Sequence, residues 1–408
     1  GEGPGRFRLK IGDWKYAHLA LPLGVQRGTA ANVALLGGNV DRAAVIDARL
    51  FATGMRPAPW PAGIAASGNG PALIVSDYPE LVESETTDAA GQVLAAAAIG
   101  VSGRLAAKGE EDRYIVPVTP GQSLRLEVFA ERMGSPIDGV LIVRNTGGGE
   151  LARGDDQPGT TDPAVNFAVP AGVTAIVVSV SDLLNKGGDE FVYRLAVAPT
   201  AQEGFSPTVP QDVVTVPVNG RALVRVAANR AGHDGPIQLR YHGLPAGTTA
   251  TGTEIPESIQ QALVVLAATQ AATARVSLTG EATINGAPIA RSAKAPDFPA
   301  GETQPWLREE LAIAAVDSAP LVADWAAVEE TLNLPAGGKT SVSVKVTRSA
   351  GVTGPVRLSL ITSQTVPKKK VENREIDDET KALRAEAIVV VPPEAGEGTL
   401  SIAVPADL

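Results

Sequence analysis

Residues 217–226, Pro-Val-Asn-Gly-Arg-Ala-Leu-Val-Arg-Val, begin a pattern that returns at residues 335–344 as Pro-Ala-Gly-Gly-Lys-Thr-Ser-Val-Ser-Val. A second half follows each copy, with Ala-Gly-His-Asp-Gly-Pro-Ile-Gln-Leu at 231–239 and Ala-Gly-Val-Thr-Gly-Pro-Val-Arg-Leu at 350–358. Runs that alternate apolar with polar residues and are bounded by Gly-Pro turns are typical of β-strands. The recurrence therefore indicates that one β-module occurs twice in this chain.

The sequence downstream of the repeat differs between the two copies. Alternating runs continue after the first copy at 274–280 and 282–291, whereas the second is followed by 398–404 before the sequence stops. Near the amino end, residues 7–11, Phe-Arg-Leu-Lys-Ile, resemble the closing strand of a module. We therefore expect a segment of a longer modular protein, truncated at both ends.

Composition agrees with an all-β chain. The 408 residues include 43 glycines and 31 prolines, and Val, Thr and Ala dominate the runs between them, which favours short strands joined by tight turns. At ~100–200 residues per domain, this length predicts two to four domains. We interpret the chain as tandem β-sandwich modules. The predicted divisions are a closing strand at 1–13 and modules at 14–93, 94–199, 200–297 and 298–408, the last one incomplete.

Charge and residue usage exclude several classes of partner and site. A net charge of -10 argues against nucleic acid, because phosphate recognition requires a clustered basic face. Zero cysteines remove disulfides, thiolate metal sites and cysteine nucleophiles. No apolar run reaches the ~18–20 residues that a membrane helix needs, so no membrane insertion is expected. The three histidines lack metal-ligand spacing and no Gly-x-Ser-x-Gly elbow occurs, so no catalytic residue is predicted.

Residues 94–199 carry a set of short motifs in a characteristic order: Gly103–Leu105, Asp112–Tyr114, Pro120–Leu124, Gly134–Leu141, Gly154–Asp156, Pro170–Gly172 and Tyr193–Leu195. Together they resemble the bacterial pre-peptidase C-terminal (PPC) domain, a jelly-roll-like β-sandwich of secreted enzymes and planctomycete-type surface proteins. Residues 14–93 resemble an immunoglobulin-like TIG module of such proteins. The two repeat copies resemble the immunoglobulin-like modules that follow the PPC domain there.

The resemblance also implies a calcium site. Some PPC domains bind calcium through acidic residues at the start of the domain and in a surface loop, where hard oxygen ligands gather. The corresponding candidates are Glu85 and Asp88 at the start, with Asp155, Asp156 and Asp162 in the loop. The alternative for the loop is a turn whose Asp side chains accept bonds from nearby backbone amides. No cofactor other than Ca²⁺ is expected.

These observations predict a non-catalytic scaffold or adhesion segment in the extracellular space or cell envelope. Its partners would be other chains of a surface assembly or missing parts of the same polypeptide. The insertion at 366–379, absent from the first copy, is the candidate contact loop. Two alternatives remain open: an accessory region of a secreted hydrolase or cytochrome-like redox enzyme, and a module that binds carbohydrate or matrix, with glycan as the partner.

Overall fold

The computed structural model describes residues 11–40, 43–48, 53–64, 66, 68–84, 91–200, 204–296, 304–325, 334–371 and 374–406. Across these ranges the regular structure is β-strand, with short 3₁₀ turns at Glu131–Met133, Pro305–Glu309 and Glu379–Lys381 and no α-helix. The predicted all-β class is confirmed. The chain forms two compact units: Gly1–Gln202 with Thr303–Trp306, and Glu203–Glu302 with Leu307–Leu408.

The first module of unit 1 contains two three-stranded sheets. Its strands are β1 (Leu19–Leu21), β2 (Gly24–Gln26), β3 (Ala30–Leu36), β4 (Ala43–Asp47), β5 (Gly54–Pro57) and β6 (Ala72–Ser76). The sheet orders are β1-β3-β4 and β2-β6-β5. Leu19, Leu23, Ile46 and Leu73 are fully buried between them.

The second module of unit 1 is a sandwich of two five-stranded sheets. Its strands are β7 (Glu80–Val82), β8 (Gln92–Val93), β9 (Ile99–Arg104), β10 (Glu111–Pro117), β11 (Ser123–Phe129), β12 (Gly139–Asn145), β13 (Glu150–Gly154), β14 (Ala164–Ala168), β15 (Ala175–Asp182) and β16 (Val192–Pro199). The orders are β13-β12-β15-β10-β8 and β14-β11-β16-β9-β7. Both sheets thus begin ahead of residue 94, since β7 and β8 supply parallel edge strands.

Unit 2 begins with the first repeat copy. Its strands are β17 (Gly204–Thr208), β18 (Val213–Val218), β19 (Arg221–Ala231), β20 (Ile237–His242), β21 (Thr248–Thr251), β22 (Glu254–Ile255), β23 (Gln261–Ala268), β24 (Ala272–Ile284), β25 (Ala287–Ser292) and β26 (Glu310–Ser318). These ten strands form one sheet in the order β17-β19-β23-β18-β26-β24-β20-β22, with β21 paired to β23 and β25 paired to β24. The sheet passes the predicted boundary at 297/298, because β26 lies between β18 and β24.

The second repeat copy completes unit 2. Its strands are β27 (Leu321–Trp325), β28 (Lys339–Arg348), β29 (Val356–Leu358), β30 (Lys368–Val371), β31 (Arg374–Asp377), β32 (Arg384–Ala385), β33 (Val389–Val391) and β34 (Glu397–Ala403). A four-stranded sheet, β27-β28-β34-β32, faces the two-stranded β29-β33. Val342, Leu400 and Ile402 form a small buried cluster at its centre, and Val346, Val391 and Val404 are buried as well.

Candidate functional site

The predicted calcium ligands that the structure describes differ in burial and in hydrogen bonding. Glu85 and Asp88 lie outside the described residues. Asp155 and Asp156 are exposed, and the Asp156 amide donates to Asp155 Oδ1 at 3.0 Å. An Asp side chain that accepts from a nearby backbone amide is the turn arrangement given above as the alternative to a calcium site.

Asp162 is fully buried and its carboxylate is surrounded by nitrogen donors. Oδ1 accepts from the amides of Ala130 and Glu131 at 2.9 and 2.7 Å, and Oδ2 accepts from the amide and Nε of Arg132 at 3.3 and 2.7 Å. A carboxylate held by four N–H groups stabilises the 3₁₀ turn and has little capacity left for a cation. In the described part of the chain, no three acidic or histidine side chains are grouped to hold a metal.

Each histidine has its own local surroundings. His18 Nε2 lies 3.3 Å from the Glu190 carboxylate, His233 packs on Phe205, and His242 Nε2 lies 2.9 Å from Thr279 Oγ1. Each contact is with a different partner. They provide no shared constellation for acid–base chemistry.

A buried polar site lies where the first module of unit 1 meets the second. Arg194 on β16 forms a two-pronged ion pair with Glu80 on β7: Nη2 to Oε1 is 2.6 Å and Nε to Oε2 is 3.0 Å. The two side chains are only 4% and 5% exposed. Ser76 Oγ, at the end of β6, also donates to Glu80 Oε1 at 2.6 Å. The carboxylate therefore bonds to both modules.

Two glycines provide the space for this ion pair. A Cβ at Gly24 or at Gly100 would overlap the Glu80 carboxylate. Next to them, Ser102 Oγ on β9 accepts from the amides of Leu23 and Gly24 at 3.0 and 3.2 Å. A strand of one module is thus bonded directly to a side chain of the next.

Apolar packing crosses the same boundary. Met133 and Val192, both from the second module, are buried in the core of the first. Phe129, on β11, packs against that core from the same side. We call the combination of this shared core, the Glu80–Arg194 pair and the Ser102 bonds the unit 1 joint.

A second buried network lies beside the unit 1 joint. Tyr193 Oη donates to Asp112 Oδ2 at 2.7 Å and lies 2.6 Å from Tyr114 Oη. Glu83, just after β7, accepts from the Arg104 amide at 3.1 Å and bonds to Asp112. Burial and the nearby Glu83 carboxylate raise the pKa of Asp112 to about 8. Burial beside a second carboxylate therefore favours the protonated form of Asp112.

Unit 2 contains a shorter joint between the two repeat copies. Only Ala319 and Pro320 separate β26 from β27, and both are hydrogen-bonded. The Ala319 amide donates to the Val218 carbonyl at 3.0 Å, and the Ser349 amide donates to the Pro320 carbonyl at 2.9 Å. Gly220 packs on the Ala319 side chain, where a Cβ would stand 2.8 Å away. We call this segment the unit 2 joint.

The insertion at 366–379 forms an exposed hairpin of β30 and β31. Its register places Lys368 opposite Asp377 and Lys370 opposite Glu375. Lys369 Nζ lies 2.9 Å from Asp378 Oδ1. The lysine run is thus balanced by acidic residues on its own hairpin, and the insertion remains a predicted contact loop.

The chain has only distant similarity to known proteins. No family model matches the chain, and no curated protein matches it. Among solved structures, domains 4–9 of surface layer protein SbsC are 14% identical with a TM-score of 0.24, covering 64% of this chain and 41% of that chain. Domains 1–6 of SbsC and the S-layer protein rSbsC(31-844) are each 9% identical with a TM-score of 0.21, covering 97% of this chain and 53% of theirs. This chain therefore spans about half the length of those structures or less.

The residues of both joints were not identified from sequence. Glu80 and Arg194 are 114 positions apart, and no local pattern links them. The available signal was a charged residue within each of two strand-like runs, Pro79–Val82 and Tyr193–Val197.

No helix in the described ranges has the length and apolar character that a membrane crossing requires.

Proposed function

We propose that this chain is a non-catalytic, stiff segment of a scaffold at the cell surface or in the extracellular space. Within each unit, joints built of buried side chains and short links hold neighbouring modules in one orientation. The PPC and TIG resemblance of unit 1 supports the cell-surface location. Other chains of a surface assembly are the proposed partners.

The unit 1 joint is the observation that carries this proposal. Domains in one chain ordinarily move relative to each other unless their interface is large and apolar. Here Met133 and Val192 extend the core of the neighbouring module. The bond from Ser76 to Glu80 and the bonds from the Leu23 and Gly24 amides to Ser102 add directional contacts between the two modules.

Distance measurements between spin labels test the stiffness of this joint. The chain has no cysteine, so Val45→Cys and Lys108→Cys would be its only thiols. Val45 is 70% exposed on the first module, and Lys108 lies in an exposed turn of the second. Double electron–electron resonance should give one narrow distance distribution. Adding Glu80→Ala should broaden it, because Ser76 of the first module loses its bond to the Glu80 carboxylate of the second.

The control is Glu150→Ala, which removes the exposed pair with Arg153 on β13. It should leave the distribution unchanged. A broad distribution in the chain with labels alone would overturn the proposal, since the modules would then reorient freely despite the shared core.

A further inference from the structure

Residues of the buried network around Asp112 lie beside residues of the unit 1 joint on three strands. On β16, Tyr193 donates to Asp112, and the next residue, Arg194, forms the ion pair of the joint. On β9, Gly103 pairs with Tyr193. The residue before it, Ser102, pairs with Arg194. The third strand is β7, which carries the acidic partner of the ion pair and leads directly into the second carboxylate of the network.

Glu83, that second carboxylate, connects the network to the joint. Its amide donates to the Ser102 carbonyl at 2.8 Å. Ser102 Oγ in turn accepts from the amides of Leu23 and Gly24 in the first module. The Glu83 side chain lies over β9, where a Cβ at Gly103 would stand 2.7 Å from Oε2. A movement of Glu83 would therefore reach the bonds between the modules.

The carboxyl groups of Asp112 and Glu83 are hydrogen-bonded to each other. Such a bond requires a proton on one of them, because two ionised carboxylates can only accept. The other groups that face Asp112 are the Tyr193 hydroxyl, the Tyr114 hydroxyl bonded to it, and the Glu110 carboxylate. These side chains are neutral or acidic. Burial among them favours the shared proton, in agreement with the raised pKa of Asp112.

We propose that the proton shared by Asp112 and Glu83 stabilises the unit 1 joint, so that the joint loosens when the pH rises and the proton passes to water. Two negative charges would then face each other in a buried site, and Glu83 would move toward solvent. β7 is a three-residue strand at the edge of its sheet, bonded to β9, so it can follow. The inference rests on the proposed stiff scaffold and adds pH as a control of its stiffness.

Hydrogen exchange of the Leu23 and Gly24 amides measures opening of the joint, because both donate to Ser102 Oγ. Their protection, which is the intrinsic exchange rate divided by the observed rate at the same pH, should fall from pH 5 to pH 8. The fall can reach about tenfold per pH unit, since the closed joint holds one proton that the open joint releases. Amides of β14, at the opposite edge of the same sheet, should keep their protection.

Neutral variants of the carboxyl pair should remove this pH dependence. In Asp112→Asn, the side-chain amide can donate to Glu83 and the side-chain carbonyl can accept from Tyr193 at every pH. Glu83→Gln supplies a donor from the other side, and it keeps the test available if Asp112→Asn does not fold. Glu150→Gln, in the exposed pair on β13, is the matched control and should show the same fall as the unsubstituted chain.

Equal protection of the Leu23 and Gly24 amides at pH 5 and pH 8 overturns the inference, and so does an undiminished fall in the neutral variants. A fall that extends equally to β14 also overturns it, because the proton would then act on the whole unit. The spin-label distances at pH 5 test the stiff joint separately. A broad distribution there refutes the scaffold proposal, whereas a narrow one with equal protection refutes only the control by pH.

Discussion

Arg194 Nη2 lies 2.6 Å from Glu80 Oε1, in a pair of the second module that is almost completely shielded from water and that lies against Ser76 and Gly24 of the first module. Breaking a buried ion pair from one side leaves an uncompensated charge, at a cost of about 3–5 kcal/mol. Glu80→Gln should therefore lower the free energy of unfolding of unit 1 by several kcal/mol, as measured in urea. Glu150→Gln, in an exposed pair, should change it by less than about 1 kcal/mol.

The glycines around this pair give a steric test. Gly100→Ala places a Cβ against the Glu80 carboxylate, so the ion pair must open or the strand must shift. Hydrogen exchange should then rise in β7 and β9, which pair with each other. Gly109→Ala is the comparison for a simple loss of a turn glycine, since nothing lies within 4 Å of its Cβ position. Equal exchange in β7 and β9 for the two variants would contradict a role for this space.

The raised pKa of Asp112 predicts that the stability of the folded state depends on pH. Its pKa in the folded chain is about 8, against about 3.9 in an unfolded chain. The folded state therefore binds more protons between these values, so the contribution of Asp112 to stability is full below about pH 4, is lost as pH rises toward 8, and does not change further above. Urea unfolding midpoints from pH 4 to 9 should show this decline, and Asp112→Asn should remove it. An unchanged decline in Asp112→Asn would assign the effect to other groups.

Substitution of Asp162 tests whether its carboxylate supports the fold or binds a metal. Asp162→Ala leaves three backbone amides without their acceptor, which should lower stability by about 2–4 kcal/mol. The loss should be the same in calcium and in chelator. Asp155→Ala with Asp156→Ala should have little effect on stability, because both residues are exposed. Calorimetric titration of the same variants with Ca²⁺ tests whether this loop binds the ion: a heat of binding that disappears with Asp162 would contradict the structural role.

The hairpin of β30 and β31 should be dispensable for folding. Its base is held by Gln364, whose Oε1 accepts from the Leu383 amide and whose Nε2 donates to the Lys381 carbonyl, both at 2.8 Å. Replacing 368–377 by a short Gly-Ser turn should leave the melting temperature of unit 2 unchanged. Gln364→Ala should lower it. A large loss on hairpin replacement would show that the insertion supports the module.

Local patterns predict the strands, whereas distant contacts decide how the modules are joined. The alternating run at 311–316 predicts a strand, but its parallel pairing with β18, about 100 residues earlier, has no local signature. Asp162 illustrates the same limit: an Asp in a glycine-rich loop fits calcium by composition, and the amides it caps lie some thirty positions away. The repeat is more informative, because aligning its two copies predicts that β19 and β28 are equivalent strands and that β20 and β29 are equivalent strands.

Ala319 and Pro320 set how far the two repeat copies can separate under tension. A two-residue tether reaches at most about 7 Å when fully extended, and this one is already clamped at both ends by backbone bonds. This two-residue link therefore cannot extend appreciably. A pull applied to one copy would therefore act at once on the hydrogen bonds of β26 and β27, and stretching would begin with the rupture of a strand pair.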